Sequence, residues 1–152
     1  MVEITKNLFI GDDNDFNSVD DSWYVVHACK DPYHRKLLGY RTPGCPKCEE
    51  YYFAERDNIL YLNLVDADNV QYIPNVVINK ALDFIDEHIK DNKILVHCNL
   101  GESRSPSIGL LYLRKMGYFD GKSASQGMLE YKEIYKKFNP NHGMMDYIIQ
   151  NW

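Results

Sequence analysis

The sequence has no apolar run approaching the ~20 residues needed to cross a bilayer. Its opening, MVEITKNLFIGDDNDF, lacks the basic-then-apolar order of a secretory signal. A cytoplasmic protein with no membrane partner is therefore expected. Positive charge is scarce as well: 17 Lys and Arg stand against 22 Asp and Glu, for a formal net charge of −5. That balance argues against a broad basic surface, and so against nucleic acid as a partner, yet it leaves room for a small, locally positive pocket. Cysteine is sparse, at Cys29, Cys45, Cys48 and Cys98. In a reducing compartment these are weak grounds for a disulfide framework. Internal repeats and low-complexity tracts are lacking.

What is present is a globular composition, 45% hydrophobic over 152 residues, which suits one domain spanning residues 1–152. Four short runs read as strands: Asn7–Gly11, Ser22–Cys29, Asn58–Val65 and Lys93–Cys98. IPNVVINKALDFIDEHIK reads as a helix, with Ile78, Ala81, Leu82, Ile85 and Ile89 on one face and Pro74 in its first turn. A second helix is expected from Pro106, with Gly117 at its end. KSASQGMLEYKEIYKKF and HGMMDYIIQNW read as two more, parted by the turn NPN. The expected fold is α/β, with a central, mostly parallel, twisted sheet of about four to five strands, helices on both faces and an all-helical C-terminal part. Lys30 to about Asp57 reads as one long polar loop, holding three of the six prolines with Gly39 and Gly44. It exceeds the usual connection in a compact domain, which points to function or an insertion.

The stretch KILVHCNLGESRS carries the most chemistry. A loop that leaves a strand and enters a helix has unpaired backbone N–H groups converging on one spot, reinforced by the helix dipole. Gly101 lets such a backbone curl without a Cβ clash. The product is a cradle for an anion, built from Asn99, Leu100, Gly101, Glu102, Ser103 and Arg104. Arg104 adds a planar fork that matches two phosphate oxygens. Cys98 would lie at the floor, where the positive potential favours a thiolate aimed at phosphorus. A cysteine at a strand end is usually inert packing, and Ser105 by itself could simply cap the next helix. Taken together, the residues outweigh those readings.

HCNLGESRS has the order His-Cys-x5-Arg-Ser and resembles the signature of the dual-specificity protein phosphatases, a branch of the cysteine-dependent tyrosine phosphatases. ITKNLFIGD, ALDFIDEHI…ILVHC, SRSPSIGLLYL and NPNHGMMDYI resemble further segments of that domain, so the likeness covers most of the chain outside 30–57. The resemblance implies hydrolysis of phosphomonoesters on proteins, phosphotyrosine first and then phosphoserine or phosphothreonine, through a phosphocysteine on Cys98. It implies that Arg104 holds the equatorial oxygens, that Ser105 helps sulfur leave in the second step, and that His97 orients the loop. It implies neither metal nor other cofactor, with a phosphorylated protein as partner and a monomeric enzyme. The general acid implied is an aspartate about thirty residues before the cysteine. Asp66 and Asp68 precede Cys98 by 32 and 30 positions, and both stay open, with a lean to Asp66.

The long loop departs from the family pattern. Cys29, His34, Cys45 and Cys48 offer a zinc set with an irregular Cys29 end; a Cys45–Cys48 disulfide or two idle thiols is the plainer reading. Tyr33, His34, Arg35 and Tyr40 are candidates for the rim of the pocket. The variable cradle positions hold no basic residue, and Glu102 argues against polyphosphorylated inositol lipids and RNA 5′ ends. The rival readings are a phosphate-binding scaffold with little turnover, a phosphatase for a non-protein phosphoester, and a sulfur-transfer or arsenate-reducing enzyme. The last suits the PNHG segment poorly.

Overall fold

Short β-branched runs between turn residues give this chain narrow strands, and their pairing sets everything else. The computed structural model describes residues 1–41 and 44–152; Thr42 and Pro43, within the expected long loop, lie outside the described residues. Six strands form one sheet: β1 (Val2–Thr5), β2 (Leu8–Gly11), β3 (Tyr24–His27), β4 (Phe53–Arg56), β5 (Ile59–Leu62) and β6 (Ile94–His97), in the order β1-β2-β6-β3-β5-β4. β2, β6, β3 and β5 run parallel, and antiparallel β1 and β4 close the two edges. The four expected strands are the parallel centre. The two edge strands raise the count from the expected four or five to six.

The helices are α1 (Asp13–Phe16), α2 (Arg35–Leu38), α3 (Asn75–His88), α4 (Arg104–Lys115), α5 (Ala124–Ile134) and α6 (His142–Gln150). α3 buries Val77, Ile78, Ala81, Phe84 and Ile85, so the expected stripe is shifted slightly and Leu82 and Ile89 lie at its margin. Burying each large side chain of that stripe contributes roughly 1.5–3 kcal/mol. α4 is buried almost throughout its first ten residues and packs on β2 and β6. α5 opens with a reciprocal capping box between Ser123 and Gln126. Gly117, at φ +89°, follows the end of α4 as expected.

Residues 30–57 differ from the expected open loop. A helical turn over Lys30–His34 runs into α2, and the segment ends in β4. His34 pins it together: Nδ1 accepts from the Tyr40 hydroxyl at 2.8 Å, and Nε2 donates to the Glu50 carbonyl at 2.8 Å. Arg56 forks onto Glu50 at 2.6 and 3.0 Å, and Arg35 pairs with Asp31.

Gly109 on α4 packs tightly between Tyr131 of α5 and Ile4 and Ile10 of the sheet. A Cβ there would meet Tyr131 Oη at 2.7 Å, Ile10 Cδ1 at 2.8 Å and Ile4 Cδ1 at 2.9 Å. Gly109→Ala should destabilise the fold by about 1–3 kcal/mol through overpacking, despite alanine's better helix propensity. Urea titration with an unchanged m-value would show it, and a stabilised variant would contradict this packing.

Candidate active site

β6 ends at His97, α4 begins at Arg104, and the chain turns between them in a loop whose carbonyls are held from outside. Asp13 N–H lies 3.5 Å from Asn99 O, the Tyr135 hydroxyl donates to Gly101 O at 2.7 Å, Asn139 N–H to Glu102 O at 2.8 Å, and Ser107 N–H to Ser103 O at 3.1 Å. In a planar trans peptide the N–H opposes the C=O. Anchoring these carbonyls outward therefore turns the amides of Leu100, Glu102, Ser103 and Arg104 toward the loop's interior. Gly101 sits at φ +70°, and a Cβ on it would come within 3.0 Å of Gly11 O and 3.1 Å of Tyr135 Oη. Only glycine fits that seat.

Cys98 is 2% exposed and borders a cavity of about 480 Å³. Asp66, Asn99, Leu100, Glu102, Ser103, Arg104 and the segment 139–142 line the same cavity. The Ser105 N–H points at Cys98 Sγ at 3.5 Å, and Ser105 Oγ lies 3.2 Å from that sulfur. The same hydroxyl lies 3.0 Å from Gly11 O. One hydroxyl proton cannot serve both, so it can donate to the carbonyl while sulfur carries its own proton and turn to sulfur when that proton leaves.

Arg104 donates from Nη1 to Leu64 O at 3.1 Å and from Nη2 to Asn99 Oδ1 at 2.8 Å. Its Nε is buried with no hydrogen-bond partner. A guanidinium has five N–H donors, so an anion in the cavity would find the Nε donor uncommitted. Ser103 Oγ donates to Asp66 Oδ1 at 2.9 Å and accepts from Asn141 N–H at 2.9 Å. Asn141 Nδ2 reaches Asp66 O at 3.2 Å, and Gly143 N–H reaches Ala67 O at 3.0 Å. Three loops thus meet at one serine.

The sequence profile of the family described as "Dual specificity phosphatase, catalytic domain" matches residues 28–151. The chain belongs to this family. Human dual specificity protein phosphatase 5 is 40% identical over 72 residues, which are 47% of this chain and 18% of that protein. Mouse protein phosphatase Slingshot homolog 3 is 28% identical over 95 residues, 62% of this chain and 14% of that protein. The chain therefore spans less than a fifth of the length of these curated relatives. The solved structure of DUSP15 superposes with a TM-score of 0.64 at 18% identity, covering 99% of this chain and 85% of the other. A leucine-rich repeat and phosphatase domain containing protein from Entamoeba histolytica gives 0.67 at 13% identity, covering 99% and 90%. These two likenesses concern the fold.

In this phosphatase-family domain Cys98, Arg104, Ser105, Asp66 and the cradle residues lie together; Asp66 and Asp68 are both exposed, but only Asp66 lines the cavity. His97 faces the other side of the sheet. Its Nε2 lies 2.6 Å from His27 Nδ1, and its ring stacks on Phe16. Burial lowers both histidines, His27 to about 2. None of the four expected rim residues lines the cavity: Tyr33 bonds Asp13 at 2.7 Å and stacks on His27, His34 and Tyr40 bond each other, and Arg35 is paired with Asp31. The zinc set that the sequence offered as its lesser reading is not assembled either. Both nitrogens of His34 are engaged, all four cysteines are free thiols, and Cys29 lies instead beside Asp13 and His97.

Sequence reasoning missed Asn139, Pro140, Asn141 and His142 as lining residues, although NPNHG was visible as a resembling segment. It missed Asp13, whose carboxylate accepts from Tyr33 and from Asn99 Nδ2, because an acidic cluster at a short helix gives no distinctive signal.

Burial lowers the pKa of His34, partly offset by its bond to Glu50 O. The unfolded chain protonates this imidazole near pH ~6.5, whereas the folded chain resists. Unfolding then takes up a proton, so stability falls as pH drops below ~6.5, by up to about 1.4 kcal/mol per pH unit from this group. Urea midpoints at pH 7, 6 and 5 should decline more steeply for the native sequence than for His34→Gln; equal slopes would contradict the assignment.

Proposed function

We propose that this chain is a protein phosphatase that hydrolyses phosphomonoesters through a phosphocysteine on Cys98, with phosphotyrosine as the first substrate class and phosphoserine and phosphothreonine as the second. One observation carries the reading: the Cys98 sulfur borders the same cavity as Asp66 and Arg104, with the Ser105 amide aimed at it. Arg104 Nε and the inward amides hold the three terminal phosphate oxygens and favour the charge of the transition state. The amide and hydroxyl of Ser105 stabilise the sulfur anion, which attacks phosphorus in line with the departing oxygen. Asp66 protonates that oxygen, held in place by Ser103. In the second step the ionised Asp66 takes a proton from water as water attacks the phosphocysteine, and the Ser105 hydroxyl turns to the departing sulfur. His97 acts from behind, fixing the end of β6.

Position favours Asp66 over Asp68 as the acid. The lining supports a singly phosphorylated substrate: Arg104 is the only Lys or Arg among the described lining residues, beside Asp66 and Glu102. A cluster of phosphates would meet those carboxylates without compensation. The substrate itself is a phosphorylated protein in this reading.

The test is turnover of p-nitrophenyl phosphate and phosphotyrosine peptides. Cys98→Ser should abolish it, while a vanadate-sensitive native protein that keeps turning over after that change would end the proposal. Asp66→Asn should lower kcat by about 10²–10⁴ on phenyl phosphate, whose leaving group needs the proton. The loss should be much smaller on p-nitrophenyl phosphate, whose phenolate leaves readily. Asp68→Asn should stay within a few-fold of the native rate on both; a larger loss there than at Asp66 would transfer the role.

A further inference from the structure

Behind the cradle, on the sheet face away from the cavity, three groups of different chemistry converge. A carboxylate oxygen of Asp13, Cys29 Sγ and a ring nitrogen of His97 all lie within 4.8 Å of one another. Cys29 and His97 are fully buried, and Asp13 retains 38% side-chain exposure, which gives a path from solvent. His97 Nδ1 is 3.4 Å from Asp13 Oδ1 and has no partner in good hydrogen-bond geometry, with the Asp13 carboxylate and the Cys98 backbone near enough to favour a proton on the ring. Its other nitrogen is committed to His27 Nδ1 at 2.6 Å. If His97 donates there, Nδ1 presents a bare lone pair to a carboxylate, an arrangement that a cation between them relieves. A ring N–H that donates away from the ion is also the usual support for a metal-bound imidazole.

We infer that Asp13, Cys29 and His97 form a binding site for a divalent transition ion of the zinc class, distinct from Cys98. The donor set of one thiolate, one imidazole and one carboxylate suits zinc, with a fourth position open to water. Zinc bonds of about 2.0–2.3 Å require donors roughly 3.3–3.8 Å apart, so the set must contract by about 1 Å. Asp13, the exposed member, is the one that would shift, carrying its two hydrogen bonds with it. Tyr33 and Asn99 already hold its two oxygens, at 2.7 and 3.2 Å, and would serve as the outer shell. Burial pushes the Cys29 thiol up. The incoming ion displaces its proton to solvent, leaving a neutralised thiolate–metal bond. Bound there, the ion would tie β6 and Asn99 to α1 and so stiffen the base of the cradle.

The experiment uses the metal-stripped full chain and Co²⁺ as a spectroscopic stand-in, followed by Zn²⁺ competition. One equivalent should bind per chain with a thiolate-to-cobalt charge-transfer band, a raised thermal midpoint and displacement by zinc. Cys29→Ala should lose the band, and Asp13→Asn should weaken binding at least tenfold; circular dichroism establishes that each is folded. Cys98→Ser should keep the band, as should the Cys45→Ser/Cys48→Ser double variant. Absence of binding, a band that survives Cys29→Ala, or one that vanishes in Cys98→Ser or in the double variant overturns the site. Because the readout is metal and not turnover, failure here is separate from failure of the phosphatase reading.

Discussion

The outward anchoring of four carbonyls fixes the loop between β6 and α4, and the rest of the site depends on it. An oxyanion cradle made of peptide dipoles carries no formal charge of its own. Its strength lies in having the amides already turned inward before an anion arrives. A peptide plane turns as a unit, so whatever grips the carbonyl aims the amide. The grips here come from α1 through Asp13, from the segment after α5 through Tyr135 and Asn139, and from the first turn of α4 itself through Ser107. The all-helical C-terminal part is thus more than a cover for the sheet. Tyr135 in particular fills two roles, since its hydroxyl both holds Gly101 O and sits where a side chain at Gly101 would need to go.

The same logic extends to the proposed acid. Asp66 belongs to a loop after β5 with no strand partner of its own, and its carboxylate is exposed. Left alone, such a side chain would sample many rotamers. Ser103 removes that freedom by donating to Asp66 while accepting from the backbone of Asn141. A hydroxyl has one proton and two lone pairs, so this one residue can orient a carboxylate and be oriented in turn. Gly143 completes the clamp: a Cβ there would lie 2.2 Å from Ala67 O, so only glycine lets α6 approach the Asp66 loop this closely.

Much of this was legible in the sequence, and the parts that were not share a cause. The parallel strands are short apolar runs, and α3 and α4 announce themselves by period or by their stops. β1 and β4 are four-residue edges with burial on one or two positions each, so VEIT and FAER carry too little alternation to register. Pairing with a neighbour makes them strands. Helical turns in KDPYHRKLL stay hidden for a similar reason, because His34 and its tertiary partners, Tyr40 and Glu50, fold that segment. In the site, Cys98, Arg104 and Ser105 were visible because they lie close together along one short stretch of chain. The grouping of His27 with His97 was not, since it requires knowing that β3 lies beside β6 in register 27↔97. The preference for Asp66 over Asp68 likewise comes from contact with Ser103, which spacing alone does not encode.

Two adjacent residues at the end of β6 meet opposite environments. His97 looks into a closed aromatic nest of Phe16, His27 and Tyr33, and Cys98 looks into the open cavity. Successive residues of a strand point to opposite faces, so this separation follows from the fold. Its consequence is electrostatic. A charged imidazole behind the loop would add a titrating field to the site, whereas a desolvated, neutral one supplies rigidity without charge. The positive character of the cavity then comes from Arg104 and fixed peptide dipoles. In the proposed reaction the proton moves among Cys98, Asp66 and the Ser105 hydroxyl between sulfur and carbonyl, with the His142 ring also on the cavity wall. For the proposed reaction, which alternates a thiol, a thiolate and a carboxylate, the division between the two faces keeps the buried, neutral His97 ring apart from those changing charges.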